Sequence, residues 1–340
     1  MLRLQSIEEA GALIRTGAPL MLAGEEALLR ELPPGNWIGG TTAYFMTHEG
    51  CVADRKRLFV KRFPDFVKVS AIRSYAVEDL PRIPSDYPGH GCSWIILPGA
   101  SEALLAFGRS STTYAGLFNQ PLVGWVSGIH LDDLGKRSPK VVDGSTGSMY
   151  ENRALVMHTC LPPRKTARVE LLNLFQQGGG PAIRFPEGGF RVQACSVGGA
   201  IRNLAEYIAT EGIDTQLPLV TDFAGACINV SIQSVDAATG TVDLYAAVFP
   251  DSEYHFAAPV ADYPTAFERE LSDRNDRPSF SCNCILNYLY AHLDGRKISG
   301  ITGPITNGEI AYILLNQTVV YTVFEDLDTL AKEGPLSGTR

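Results

Sequence analysis

No apolar run in this chain reaches the roughly 18 residues that a membrane-crossing helix needs. The opening Met1-Leu-Arg-Leu-Gln-Ser-Ile-Glu-Glu9 carries acids where a secretory signal needs an apolar core. Positive charge is in the minority: 29 Lys and Arg stand against 37 Asp and Glu, a net charge of −8. A nucleic-acid partner would want a basic face, which this balance argues against. Cysteine is sparse; seven residues, an odd number at irregular spacing, fit reduced thiols better than a disulfide framework. These absences predict a cytoplasmic protein with neither a membrane nor a nucleic-acid partner. Motifs are missing too. No Walker A or Rossmann fingerprint follows a predicted strand, and Gly198-Gly199, read as opening a helix, lacks the remaining glycines and the lysine. There is no G-x-S-x-G elbow and no C-x-x-C-H haem attachment.

What is present reads as a folded chain, 45% hydrophobic and 19% charged, long enough at 340 residues for two ordinary domains or one large mixed one. Residues 6–32 read as helix, turn, helix, with Ser6 and Glu9 forming a capping box and Pro33-Pro34 as the stop. Strands are predicted over Trp37–Tyr44, Leu58–Phe63, Val67–Tyr75, Leu122–Gly128 and Arg153–His158. The unbroken apolar run Cys92–Leu97 predicts a central strand buried on both faces, with a helix over Ser101–Phe107. Val169–Phe175 and Gly178–Gly180 read as a linker. Beyond it come strands at Phe190–Cys195, Leu217–Val220, Ala226–Val235, Val242–Phe249 and Glu253–Val260, and helices at Val197–Thr210 and Ala266–Leu271. A unit of apolar strand, glycine turn, variable insert and alternating strand begins at Trp37, at Leu122 and at Ile298. The expected fold is mixed α/β with two related halves, 1–165 and 166–328, each a largely antiparallel or mixed sheet with packed helices, and a flexible tail over 329–340. Trp37, Trp94 and Trp125, set among apolar neighbours, are expected in the core.

Three constellations can carry chemistry. Cys282 and Cys284 place both sulfurs on one face of a strand, too far apart there for a relaxed bridge. With His292 they give three metal ligands at most; a nucleophilic Cys284 or Cys282 needs a base, and none is local. The alternative is two small buried residues at a strand end. His130, Asp132 and Asp133 follow a strand and a glycine, where they could bind a divalent metal or orient a cationic ligand, or cap a turn. His158 and Cys160 share a strand face and read as a packed pair. The third constellation is Thr306, Glu309, Asn316 and Gln317, where Gly303 and Gly308 permit close approach to a ligand. Glu309 could meet an ammonium group; alternatively the amides satisfy backbone groups in the turn.

Gly303-Pro-Ile-Thr-Asn-Gly-Glu-Ile310 followed by Asn316-Gln-Thr318 resembles the closing signature of FIST domains, roughly G-x-x-T-x-G-E-I and then L-H-N-Q-T. Trp37-Ile-Gly-Gly-Thr-Thr-Ala43 resembles the first-half signature I-G-C-S-T-A-G-E, with Gly40 in place of its cysteine. Leu315 stands where the family often has histidine, so any role of that histidine is lost here. The resemblance implies an intracellular sensory module that binds a small ligand such as an amino acid or similar metabolite; taken with the constellations above, the expected ligand set is Thr306, Glu309, Asn316, Gln317, Cys282, Cys284, His130 and Asp132. A separate signalling protein would be its partner. Residues Gly303 to Gln317 are expected to line the main cavity, and the His130 loop to meet the Gly303 turn in one shared site. Two rivals remain: an enzyme with a cysteine nucleophile or a His130/Asp132 metal, and, by analogy with one FIST branch, a haem protein with His130, His158, His255 or His292 as axial ligand.

Overall fold

Strands outweigh helices, and the apolar runs of the sequence lie at the centres of the sheets. The computed structural model describes residues 3–223, 225–272, 276–298 and 300–327; the tail expected over 329–340 lies outside them. The fold is mixed α/β with several mixed and antiparallel sheets. Strand Gly91–Pro98 is buried at every position. It pairs in parallel with Leu122–Ser127 and antiparallel with Ala154–Cys160. Lys68–Tyr75 extends this six-stranded sheet on one side, and the short hairpin Glu309–Ala311 and Ile313–Leu315 on the other.

A second six-stranded sheet runs Lys165–Leu172, Val319–Asp326, Phe280–Cys284, Gly303–Thr306, Tyr44–Met46, Cys51–Ala53. A five-stranded sheet near the N-terminus is centred on Trp37–Thr41 and Leu20–Gly24. Three antiparallel three-stranded sheets lie between residues 183 and 256. Both six-stranded sheets therefore hydrogen-bond strands from either side of residue 165. The closing stretch threads them both: Gly303–Thr306 joins one and Glu309–Ala311 the other. No helix among the described residues is long and apolar enough to cross a membrane.

Trp37, Trp94 and Trp125 are all buried. Several local expectations are corrected. The turn expected inside residues 6–32 contains strand Leu20–Gly24, buried throughout, which separates helix Ile7–Ile14 from helix Glu26–Arg30. Of the expected linker, Val169 to Leu172 belongs instead to strand Lys165–Leu172, which pairs over its whole length with the last strand. Gly198-Gly199 does not open a helix. Both residues have positive φ, 56° and 90°, and close a hairpin between Ala194–Val197 and Ala200–Asn203, as a two-residue left-handed turn requires. The helix begins only at Leu204, capped by Asn203. Of the strand expected over Glu253–Val260 only His255–Phe256 forms, since Pro259 supplies no N–H to a ladder. Ala226–Val235 divides at Ser231, whose N–H bonds the side chain of Asn316.

Candidate functional site

Strand Phe280–Cys284 passes directly into helix Ile285–Tyr290. Asn283 and Asn287 are thus one helical turn apart, and Asn287 Nδ2 donates to Asn283 Oδ1 (2.8 Å) and to the carbonyl of Thr318 (3.3 Å). Strand Gly303–Thr306 lies parallel to Phe280–Cys284, with Thr306 opposite Cys284. The chain turns at Gly308, where φ is 150°, and enters the other six-stranded sheet with Glu309 paired opposite Trp125.

Glu309 is fully buried. Its Oε2 accepts from Thr318 Oγ1 at 2.8 Å and from Thr318 N at 3.4 Å. Its Oε1 lies 3.1 Å from Thr306 Oγ1. That hydroxyl is also 3.1 Å from the Gly308 carbonyl and 3.2 Å from the Asn283 carbonyl. One hydroxyl proton cannot serve three acceptors. A protonated Glu309 resolves the conflict: its own O–H donates to Thr306 Oγ1, which then donates to a carbonyl. Burial pushes the Glu309 carboxyl up from 4.5 to about 8, against the opposing bonds from Thr318, Thr306 and Cys284, so the neutral acid prevails at neutral pH.

The neighbouring Asn316-Gln317-Thr318 ties this centre to the 217–231 region. Asn316 Oδ1 accepts from Ser231 N at 2.8 Å. Gln317, at a φ of 51°, accepts from Ser231 Oγ and donates Nε2 to the Gln216 carbonyl at 3.0 Å. Asn229 Nδ2 reaches the carbonyls of Asn316 and Gln317 and is braced by Asn173. The backbone groups that Asn316 and Gln317 satisfy are those of Ser231 and Gln216, outside the turn, and Asn316 Nδ2 has no partner among the described residues.

Two cavities border the closing stretch. The first, about 270 Å³, is walled by Val169, Leu171, Phe223, Ile228, Ala311, Tyr312, Ile313 and Leu315, among others, and is almost wholly apolar. The second, about 160 Å³, is walled by Phe175, Asp214, Tyr263, Asn287, Tyr290 and Gln317, among others. Residues between Gly303 and Gln317 thus contribute to both, but the two largest hollows, about 770 and 720 Å³, lie around residues 47–57 and 193–210 and take none of them, so this stretch does not line the main cavity. Glu309 and Asn316, expected to reach into a cavity, line neither. Glu309 stands behind the second cavity, near enough through Cys284 to act on the Tyr263 phenol.

The structure brings together Thr306, Glu309, Asn316, Gln317, Cys282 and Cys284, all buried. It does not bring His130 and Asp132 to them. His130 stacks on Tyr44 at 5.4 Å and accepts from Asp132 N, and the Asp132 side chain is 84% exposed. Asp133 is held by Arg55 and Arg137. The two glycine turns do meet, since Asn307 N bonds the Val126 carbonyl and a Cβ on Gly128 would lie 2.5 Å from Asn307 Oδ1. They pack shut, and the void beside them, about 10 Å³, has room for about one water. The shared site is not formed.

All seven cysteines are free thiols. Burial first, then Glu309, pushes the Cys282 and Cys284 thiols well above 9.0. That is the reverse of an activated nucleophile. Among the described residues no three His, Cys, Asp or Glu side chains are grouped as a metal would need. Of the four histidines weighed for haem, none lines either cavity. His158 is fully buried, with Nδ1 2.8 Å from Ser93 Oγ and Nε2 2.8 Å from the Tyr75 hydroxyl, which donates to Asp86. His255 is bonded to the Gly180 carbonyl.

Sequence reasoning missed Phe175, Asp214, Tyr263 and Tyr290, which lie apart along the chain and carry no motif. Thr318 sits inside a quoted segment and Asn287 three residues past Cys284, and both were within reach of an argument from buried amides and hydroxyls. No curated protein matches the chain. Over residues 5–325 it matches the family described as "Family of unknown function (DUF6976)", and the chain belongs to that family.

Proposed function

We propose that this protein binds a small ligand, an amino acid or similar metabolite, in the 160 Å³ cavity beside Asn287 and Gln317. The observation that carries the reading is Asn287. It is 2% exposed, it lines the cavity, and its Oδ1 has no partner among the described residues. The Thr318 carbonyl identifies the bonded end of this amide as Nδ2, so the free end is an acceptor. A buried polar atom without a partner costs about 1–3 kcal/mol unless something fills its place.

The FIST resemblance supports the same reading, because the segment that carries it, Gly303 to Thr318, supplies one residue of the wall, Gln317, and the buried Glu309–Thr318 pair behind it. On that reading the protein is a cytoplasmic sensor of two related halves, and a separate signalling protein responds to its loaded state. A thermal-shift screen of the full chain against amino acids and other metabolites tests it, since a ligand at about a hundred times its Kd raises stability by roughly 2.7 kcal/mol. A stabilising ligand whose effect is lost in Tyr290→Leu supports the assignment. A hit that the substitution leaves unchanged, or no hit across the screen, counts against it.

A further inference from the structure

The walls of the cavity specify the charge of its occupant. Phe175, Tyr263 and Tyr290 supply three aromatic rings, with Phe175 and Tyr263 5.9 Å apart at an interplanar angle of 35°. Asp214 supplies a carboxylate at the rim, close enough to act on the Tyr290 phenol. Among the described residues no Lys, Arg or His lines the space. Both phenols are held above 10.0, chiefly by burial, and so remain neutral.

The amides add an acceptor to the wall. Gln317 Nε2 gives one of its two N–H groups to the Gln216 carbonyl. Of the buried amide atoms without a partner among the described residues, the donors Asn283 Nδ2 and Asn316 Nδ2 belong to residues that do not line the cavity, and the acceptor Asn287 Oδ1 belongs to one that does. Behind it Cys284 is a neutral thiol and Glu309 holds its proton. A ligand carboxylate would meet Asp214 with no cation to offset it, whereas an ammonium would meet ring faces, a carboxylate and a carbonyl oxygen. A cation over an aromatic face gains about 0.5–2 kcal/mol per contact, more as water is excluded.

Resting on the ligand-pocket reading above, we propose that the group recognised here is a primary alkylammonium: its N–H groups donate to Asn287 Oδ1, its charge faces Asp214, and its alkyl part lies against Phe175, Tyr263 and Tyr290. Of the small metabolites that reading admits, the pocket selects amines over carboxylates and over the zwitterionic amino acids themselves.

Ligand-observed NMR titration of the full chain tests this with three probes at matched ionic strength: n-propylammonium chloride, sodium propionate and glycine. The ammonium is expected to bind and the other two not. Asp214→Asn and Tyr290→Leu are each expected to weaken the ammonium by about tenfold, the size of one such contact. Asp214 is exposed, so its variant keeps the test open if the Tyr290 variant fails to fold. Propionate or glycine binding in place of the ammonium, weakened by Tyr290→Leu, would overturn the ammonium assignment and leave the ligand pocket standing. Ammonium binding of equal strength in both variants, or no ammonium binding at all, would also overturn it; the metabolite screen then decides the pocket independently.

Discussion

Two buried residues, Glu309 and His158, shape the pH dependence of stability in opposite directions. The Glu309 carboxyl is raised from 4.5 to about 8. Between those values the folded state holds a proton that the unfolded state has released, so stability falls as pH rises. Burial lowers the His158 imidazole from 6.5 to about 4, with Asp86 opposing. Between those values the unfolded state binds the proton, so stability falls as pH drops. The two slopes cancel between 4.5 and 6.5. Above 6.5 only Glu309 acts. Glu309→Gln keeps the shape and a donor for Thr306 while removing the titration. Its stability relative to the parent should grow by about 1.4 kcal/mol per pH unit from pH 5 towards 8. Urea denaturation at half-unit intervals measures it, and a difference independent of pH would mean that Glu309 is ionised in the folded state. In the variant the His158 loss is uncovered, so acidification from 6.5 to 4 should cost on the order of 3 kcal/mol. Glu309→Ala should cost about 2–4 kcal/mol at pH 6, through the cavity and the two threonine hydroxyls left behind.

At the scale of elements, the closing stretch depends on backbones that approach without a side chain between them. A Cβ on Gly303 would stand 1.8 Å from the Ser281 carbonyl oxygen. That atom belongs to the paired strand and cannot move aside, so Gly303→Ala should destabilise by about 2–3 kcal/mol or more. The denaturation midpoint reports it, and an unchanged midpoint would mean the two strands can separate without cost. This stretch was legible in the sequence because its information is local: Thr306, Glu309, Gln317 and Thr318 fall within one short segment of glycines and apolar runs. Cys92–Leu97 was legible because a strand buried on both faces has no polar alternation to obscure it. Leu20–Gly24 is equally buried, but so short an apolar run between two helices has no period to separate strand from helix. Lys165–Leu172 is half-buried without clean alternation, and its last residues run on towards a glycine run, so Val169 to Leu172 passed for linker. The cavity walls were hidden for another reason. Phe175, Asp214 and Tyr263 meet Asn287 only through tertiary packing, while His130 and Asp132, which looked like a site, form a solvent-facing turn.

At the scale of the whole molecule, the pairing pattern fixes how the chain must unfold. Tyr44–Met46 pairs with Gly303–Thr306, and Leu122–Ser127 pairs with Glu309–Ala311. Each strand from the first 165 residues has its partner about 180–260 positions later in the chain, and closing such loops is rewarded only when both ends are in place. A fragment of residues 3–165 would expose one edge of Leu122–Ser127 and the apolar face of Tyr44–Met46, and should not fold alone. The intact chain carries its own two reporters. All three tryptophans, buried, lie before residue 165, and two buried thiols, Cys282 and Cys284, lie in the second sheet near its end. Tryptophan fluorescence and the reactivity of these two thiols to a maleimide, followed across a urea series with the other five cysteines replaced by serine or alanine, should give coincident midpoints, the mark of one cooperative unit. Thiols that become reactive at a lower urea concentration than that which shifts the fluorescence would show instead that the region after 165 unfolds as a separate body. The shared strands would then contribute little to holding the molecule together.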